Sequence, residues 1–136
     1  MHGTGYRFAA PAAWRIVRSG REVRAEHAVS LLSVTRYELL RAFRPGLWSS
    51  VLPELDRAAA GVAAQQNGKL GTSATITVAG RQARRYDIDY ERNGKRLVER
   101  LVFVLRGKTE YLLLCRYEAG GDTGACDRLL ATFTLG

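Results

Sequence analysis

The chain is poor in the residues that carry out chemistry. Of its 136 residues only two are histidine and two are cysteine, whereas catalysis needs a base and a nucleophile or electrophile in positioned sets. His2 lies in the opening residues, and His27, beside Glu26, reads as an exposed side chain at a strand border. No Gly-x-Ser-x-Gly elbow, His-Glu-x-x-His pair, Walker loop or Gly-x-Gly-x-x-Gly turn occurs, so the spacings that announce hydrolases, zinc enzymes and nucleotide binders are missing. No stretch approaches the roughly 18 uninterrupted apolar residues of a membrane-spanning helix. The start, Met1-His2-Gly3-Thr4-Gly5, has neither the charged region nor the apolar run of a secretory signal. Low-complexity segments, internal repeats and long linkers are also lacking, which leaves one domain over residues 6–136. Residues 1–5 read as a flexible start or the remnant of a join.

Acidic residues are in deficit, 13 against 21 Lys and Arg, which gives a formal charge of +8. Such a balance invites a polyanion partner, because cations that neutralise phosphates release counterions. The distribution argues against specific nucleic-acid binding: Arg81, Arg84, Arg85, Arg92, Lys95 and Arg96 are interleaved with Asp87, Asp89, Glu91 and Glu99, and no basic tail exists. Eighteen of the 21 cations are Arg in an Ala-rich chain, a pairing that a GC-rich genome produces unaided. The alternative electrostatic reading is a binder of anionic surfaces or polymers, lipid headgroups or nucleic acid without sequence specificity, with peripheral association at a membrane.

Hydrophobic residues make up 46% of the chain, ample for a core, and their spacing gives the elements. Short strands are expected at Tyr6 to Phe8, turning at Pro11, then near residues 15–18, 22–26 and 28–36, the last apolar on both faces. Residues 37–46 read as a connector. Leu47, Val51, Leu55, Ala58, Ala59, Val62 and Ala63 recur at three- and four-residue spacing, which predicts a helix of about five turns. Ser49 or Ser50 would cap it, Pro53 would fall in its first turn, and Asn67-Gly68 would stop it.

From residue 70 the period becomes two. Thr72 to Val78 and Arg81 to Tyr90 form a strand pair, with Tyr86, Ile88 and Tyr90 on one face, and Asn93-Gly94 is a hairpin turn into a strand from Arg96 to Arg106. Gly107-Lys108 turns again into Thr109 to Tyr117. These last two strands are apolar on both faces and belong at the middle of the sheet. A short helix near Asp122 to Ala131 follows. The sum is an α+β fold, an antiparallel sheet sandwiched between helices in α/β/α layers.

Several signposts carry a resemblance: Phe8-x-x-Pro11-x-x-Trp14 at the start, the helix ending near Gln66, Val78-x-Gly80-x-x-Ala83, the Asn93-Gly94 hairpin, Tyr111 in the penultimate strand, and Ala131-Thr132-Phe133 at the end. Together, over essentially the whole chain, they resemble the PsbP-like or Mog-type fold family, with uncharacterised bacterial lipoproteins of the LpqN and DcrB kinds nearest. Ala13 stands where the family usually has Gly before the Trp, and no lipoprotein signal is visible. The resemblance implies a binding or assembly module without chemistry of its own and without a cofactor. Its partner would be another protein or a small ligand, and its native precursor would be exported or envelope-associated; a cytoplasmic protein starting at Met1 is the alternative.

Three constellations deserve placement. Cys115 and Cys126 can form a bridge or remain two buried reduced thiols. Asp87, Asp89 and Glu91 share one strand face, where ion pairs with nearby Arg are favoured over a calcium-like site. Arg36, Tyr37, Arg41, Phe43, Arg44 and Trp48 mix the residue types enriched in interface anchors. The alternative for Phe43 and Trp48 is that they plug the edge of the sandwich. This connector is the best sequence-level candidate for a binding surface.

Overall fold

A computed structural model describes all 136 residues. In chain order the elements are β1 (His2–Gly3), β2 (Tyr6–Arg7), β3 (Arg15–Ser19), β4 (Glu22–His27), β5 (Ser30–Phe43), a 3₁₀ turn (Pro45–Leu47), α1 (Trp48–Gln65), β6 (Lys69–Val78), β7 (Arg81–Arg92), β8 (Lys95–Glu118), α2 (Gly124–Thr132) and β9 (Thr134–Leu135). The main sheet is wholly antiparallel, in the order β3-β4-β5-β8-β7-β6. A straight strand of 24 residues would run roughly 80 Å, far beyond a domain this size. Instead β8 folds back at Gly107, whose φ is +57°. Its first arm pairs with β7 through residues 95–104, its second with β5 through 107–116, and Ala119 N–H closes the hairpin on the Arg96 carbonyl at 2.9 Å. Both arms therefore lie at the centre of the sheet, as their two-sided apolar pattern requires.

The two sheet faces bury separate cores. On one side α1 lays Leu55, Ala59 and Ala63 over Tyr86, Ile88, Tyr90, Leu97, Leu101 and Phe103. On the other, α2 and a small β1-β2-β9 sheet bring Leu129, Phe133, Tyr6 and Phe8 onto Val23, Leu32, Val102 and Leu113. This is the expected α/β/α layering. The opening residues, expected to be a flexible start, are instead paired: His2 and Gly3 lie opposite Arg7 and Tyr6, and Gly5 accepts a backbone hydrogen bond from Gly136.

Turn chemistry explains much of the path. Ala79-Gly80 and Asn93-Gly94 both place two consecutive residues at positive φ, the geometry of a type I′ hairpin turn. At the end of α1, Asn67 takes the left-handed conformation at φ 54°. Gly68 N–H bonds back to the Ala63 carbonyl and Asn67 N–H to Ala64, a Schellman cap. Gly68 is required by proximity, since a Cβ there would lie 2.9 Å from the Asp89 carbonyl oxygen and 2.9 Å from Ile88 Cγ2.

Two sequence expectations are corrected. Residues 37–43 continue β5 rather than forming a connector. Glu38 is opposite Thr109 and Phe43 opposite Gly107, so residues 39–42 face a single residue of β8 and bulge from the ladder. Helix α1 also starts earlier than the serines predict: Trp48 is its first residue and Leu47 its N-cap, with no side-chain cap. Burial of Trp48 edge-on against Phe43 outweighs what a serine cap would add, and Pro53 then falls beyond the first turn, inside the helix.

Candidate functional site

The structure divides the six residues of the 36–48 segment. Arg36 is opposite Tyr111, on the face covered by Tyr6, whereas Tyr37 is opposite Glu110 and projects to the α1 side. Phe43 and Trp48 meet edge to face, with centroids 6.3 Å apart at 78°, and Trp48 is buried. Phe43 itself is half-buried, and this packing joins the end of β5 to the start of α1. Tyr37, Arg41 and Arg44 remain exposed. Beside them in sequence stand Leu40, which the sequence reading did not single out and which is fully exposed at the bulge, and Leu47, expected on the apolar face of the helix but exposed in the 3₁₀ turn before it. Of the four large apolar side chains exposed on the whole protein, three (Tyr37, Leu40 and Leu47) fall in this short segment. Burial and then the charge of Glu110 push the Tyr37 phenol upward. Glu110 is itself half-buried and raised by burial.

On the face covered by α2, Cys115 and Cys126 form a disulfide whose Cα atoms are 5.6 Å apart, well within the usual range. The bridge ties the second arm of β8 to the first turn of α2. It forms one wall of a cavity of about 110 Å³, with Trp14, Leu32, Tyr117 and Asp122 also lining it. His27 stacks on Trp14 at 6.1 Å, so it supports the wall of this corner. On the acidic face of β7, Asp87 accepts from Arg85 at 2.9 Å and from Arg100 at 3.1 Å, whereas Asp89 and Glu91 are exposed and form no ion pair. Burial acts to raise the Asp87 carboxyl, but the two guanidinium hydrogen bonds outweigh it and hold the group below its ordinary value. Arg100 is buried between Asp87 and the ring of Tyr117. Asp87 is thus satisfied by one pair along its own strand, with Arg85, and one across the sheet, with Arg100.

A second cleft escaped the sequence reading. Its volume is about 220 Å³, and Arg92, Lys95 and Arg116 line it with Val29, Asn93 and Leu97. Arg92 and Lys95 face each other across the Asn93-Gly94 turn, and Arg116 reaches the same face from the second arm of β8. Arg116 Nε donates to the Val29 carbonyl at 2.9 Å. Arg92 donates to the Gln66 side-chain oxygen at 2.7 Å and lies over the Tyr90 ring at 5.6 Å. None of the three cations is within 4.0 Å of a carboxylate.

Beside them, Tyr90 and Glu99 are 6% and 3% exposed, the Tyr90 hydroxyl faces Arg116, and Glu99 Oε2 has no hydrogen-bond partner. Leaving such a group unpaired costs about 1–3 kcal/mol. Burial pushes the Glu99 carboxyl up despite Arg116 and Arg92, and burial followed by the charge of Glu99 pushes the Tyr90 phenol up. No sequence signal could have assembled this set, since Arg116 joins the other two only through the fold-back of β8.

No protein-family model matches the chain, and no curated protein matches it in sequence. Among solved structures, a protein from Bacteroides thetaiotaomicron superimposes with a TM-score of 0.69 at 10% identity; the match covers 96% of this chain and 45% of that one. This chain therefore spans less than half the length of the Bacteroides protein. LpqN of Mycobacterium tuberculosis, described as involved in cell envelope biogenesis, superimposes with a TM-score of 0.52 at 11% identity, covering 96% of this chain and 82% of that one. The likeness is one of fold, an antiparallel α+β architecture.

Proposed function

We propose that this chain is a non-catalytic binding module of the PsbP-like kind, exported to the cell envelope, that contacts another protein through residues 37–47. One observation carries the reading: three of the four exposed large apolar side chains lie in this segment, set among the exposed Arg41 and Arg44. A bulge that leaves Leu40 fully in water confers no folding benefit, and exposed apolar groups flanked by Arg are what contact surfaces present. Export is supported by the Cys115–Cys126 bridge, since disulfides persist in oxidising compartments. The fold shared with LpqN, an envelope-biogenesis protein, points the same way.

The test places a photo-crosslinking residue at position 40 in native cells, with position 57, exposed on α1, as the control. A discrete adduct from position 40, absent from position 57 and lost when Arg44→Glu is added, is the expected result. Equal adducts from both positions, or none from position 40, would overturn the assignment.

A further inference from the structure

The cleft between the β4–β5 turn and the Asn93-Gly94 turn is independent of the 37–47 segment, because the two lie at opposite ends of β5. We propose that it is a binding site for a single phosphate group, presented by a small soluble ester or by a lipid headgroup, with Arg92, Lys95 and Arg116 as its ligands. Like charges directly opposite each other on a sheet are destabilising, and Arg92 and Lys95 are such a pair. Arg116 adds a third positive charge to the same cleft; the nearby carboxylate, Glu99, feels the charge of Arg116 and Arg92 from beyond ion-pair distance and does not line the cleft. The repulsion is relieved when an anion enters.

The cations are also pre-set. The Arg116 Nε bond to the Val29 carbonyl fixes one guanidinium, and the Gln66 contact and Tyr90 ring hold the other. Two guanidinium groups and an ammonium suit a tetrahedral dianion, which can accept from all three at once, better than a planar monoanionic carboxylate. The cavity of about 220 Å³ is smaller than the usual pocket for a drug-sized ligand, so it fits a phosphate and its immediate substituent rather than a nucleotide.

The test is isothermal titration of the folded, disulfide-bonded chain with inorganic phosphate, glycerol phosphate and acetate, together with flotation on vesicles of phosphatidylglycerol or phosphatidylcholine. Lys95→Glu and Arg92→Glu change exposed residues and leave folding intact; Arg116→Met removes the third ligand, and Arg57→Glu on α1 controls for net charge. Saturable binding of one phosphate or glycerol phosphate, tighter than acetate and weakened about tenfold or more by each cleft variant but not by Arg57→Glu, is the result expected for a soluble ester. Flotation with phosphatidylglycerol but not phosphatidylcholine, lost in the same three variants and kept in Arg57→Glu, assigns the phosphate to a headgroup. Absence of both, acetate binding as tightly as phosphate, or equal weakening by Arg57→Glu would overturn the site.

Discussion

Breaking the Cys115–Cys126 bridge is the perturbation whose size follows most directly from the fold. The two cysteines are 11 residues apart, and closing a loop of that length removes about 9 cal/mol/K from the unfolded chain, or about 3 kcal/mol at 25 °C. A chain of 136 residues unfolds with an entropy of roughly 0.29 kcal/mol/K, so the melting temperature should fall by about 10 °C. The loss should be felt first at α2, because the bridge holds that helix over a core that also contains Leu129 and Phe133; amide exchange in residues 124–132 should quicken before the sheet opens. The assay is thermal unfolding followed by circular dichroism with and without reductant, the thiols being counted in each sample. The Cys115→Ala/Cys126→Ala double variant should melt at or below the reduced protein, since both side chains are buried. An unchanged melting temperature with two free thiols would refute the reasoning.

Three further predictions separate the roles assigned above. Trp48→Ala should cost about 3 kcal/mol or more by urea unfolding because the ring is buried against Phe43, whereas Leu40→Asp should change stability by less than about 0.5 kcal/mol; similar losses in both would dissolve the division between buried packing and contact surface. Gly68→Ala should cost about 1–3 kcal/mol in a thermal melt, as its methyl would press on the Asp89 carbonyl and Ile88. Burial raises the Glu99 carboxyl above its ordinary 4.5, so its contribution is full below pH 4.5 and is lost as pH rises through the folded value. Glu99→Gln should therefore lessen the loss of stability between acid and neutral pH, and denaturant midpoints measured across that range would show it. Asp87, held down by Arg85 and Arg100, acts in the opposite sense: its contribution is present above its ordinary 3.8 and is lost as pH falls through the folded value.

The parts of this fold legible in the sequence were those governed by neighbours along the chain. Asn93-Gly94 and Ala79-Gly80 encode their turns in two residues each, and the alternation of Tyr86, Ile88 and Tyr90 sets the face on which α1 packs. What escaped depends on distant partners. The start of α1 was misplaced because Trp48 is drawn into the helix by Phe43, a contact that outranks serine capping. Residues 37–43 carry no clean alternation, and their extension becomes visible only once Phe43 is seen opposite Gly107. The sequence left the cysteines open between bridge and thiols because their separation depends on how α2 returns to β8. In the 37–47 segment, Tyr37, Arg41 and Arg44 were legible as residue types enriched in interfaces, but Leu40 was hidden among ordinary apolar residues until the bulge placed it in water.

The central claim is that this is an exported binding module, and fractionation of native cells with immediate thiol trapping tests it most directly. Each fraction is alkylated with a mass tag and run without reductant. The account predicts the protein in the envelope or medium with Cys115 and Cys126 unlabelled, because export and oxidation go together. Recovery in the cytosol with both thiols tagged would contradict it.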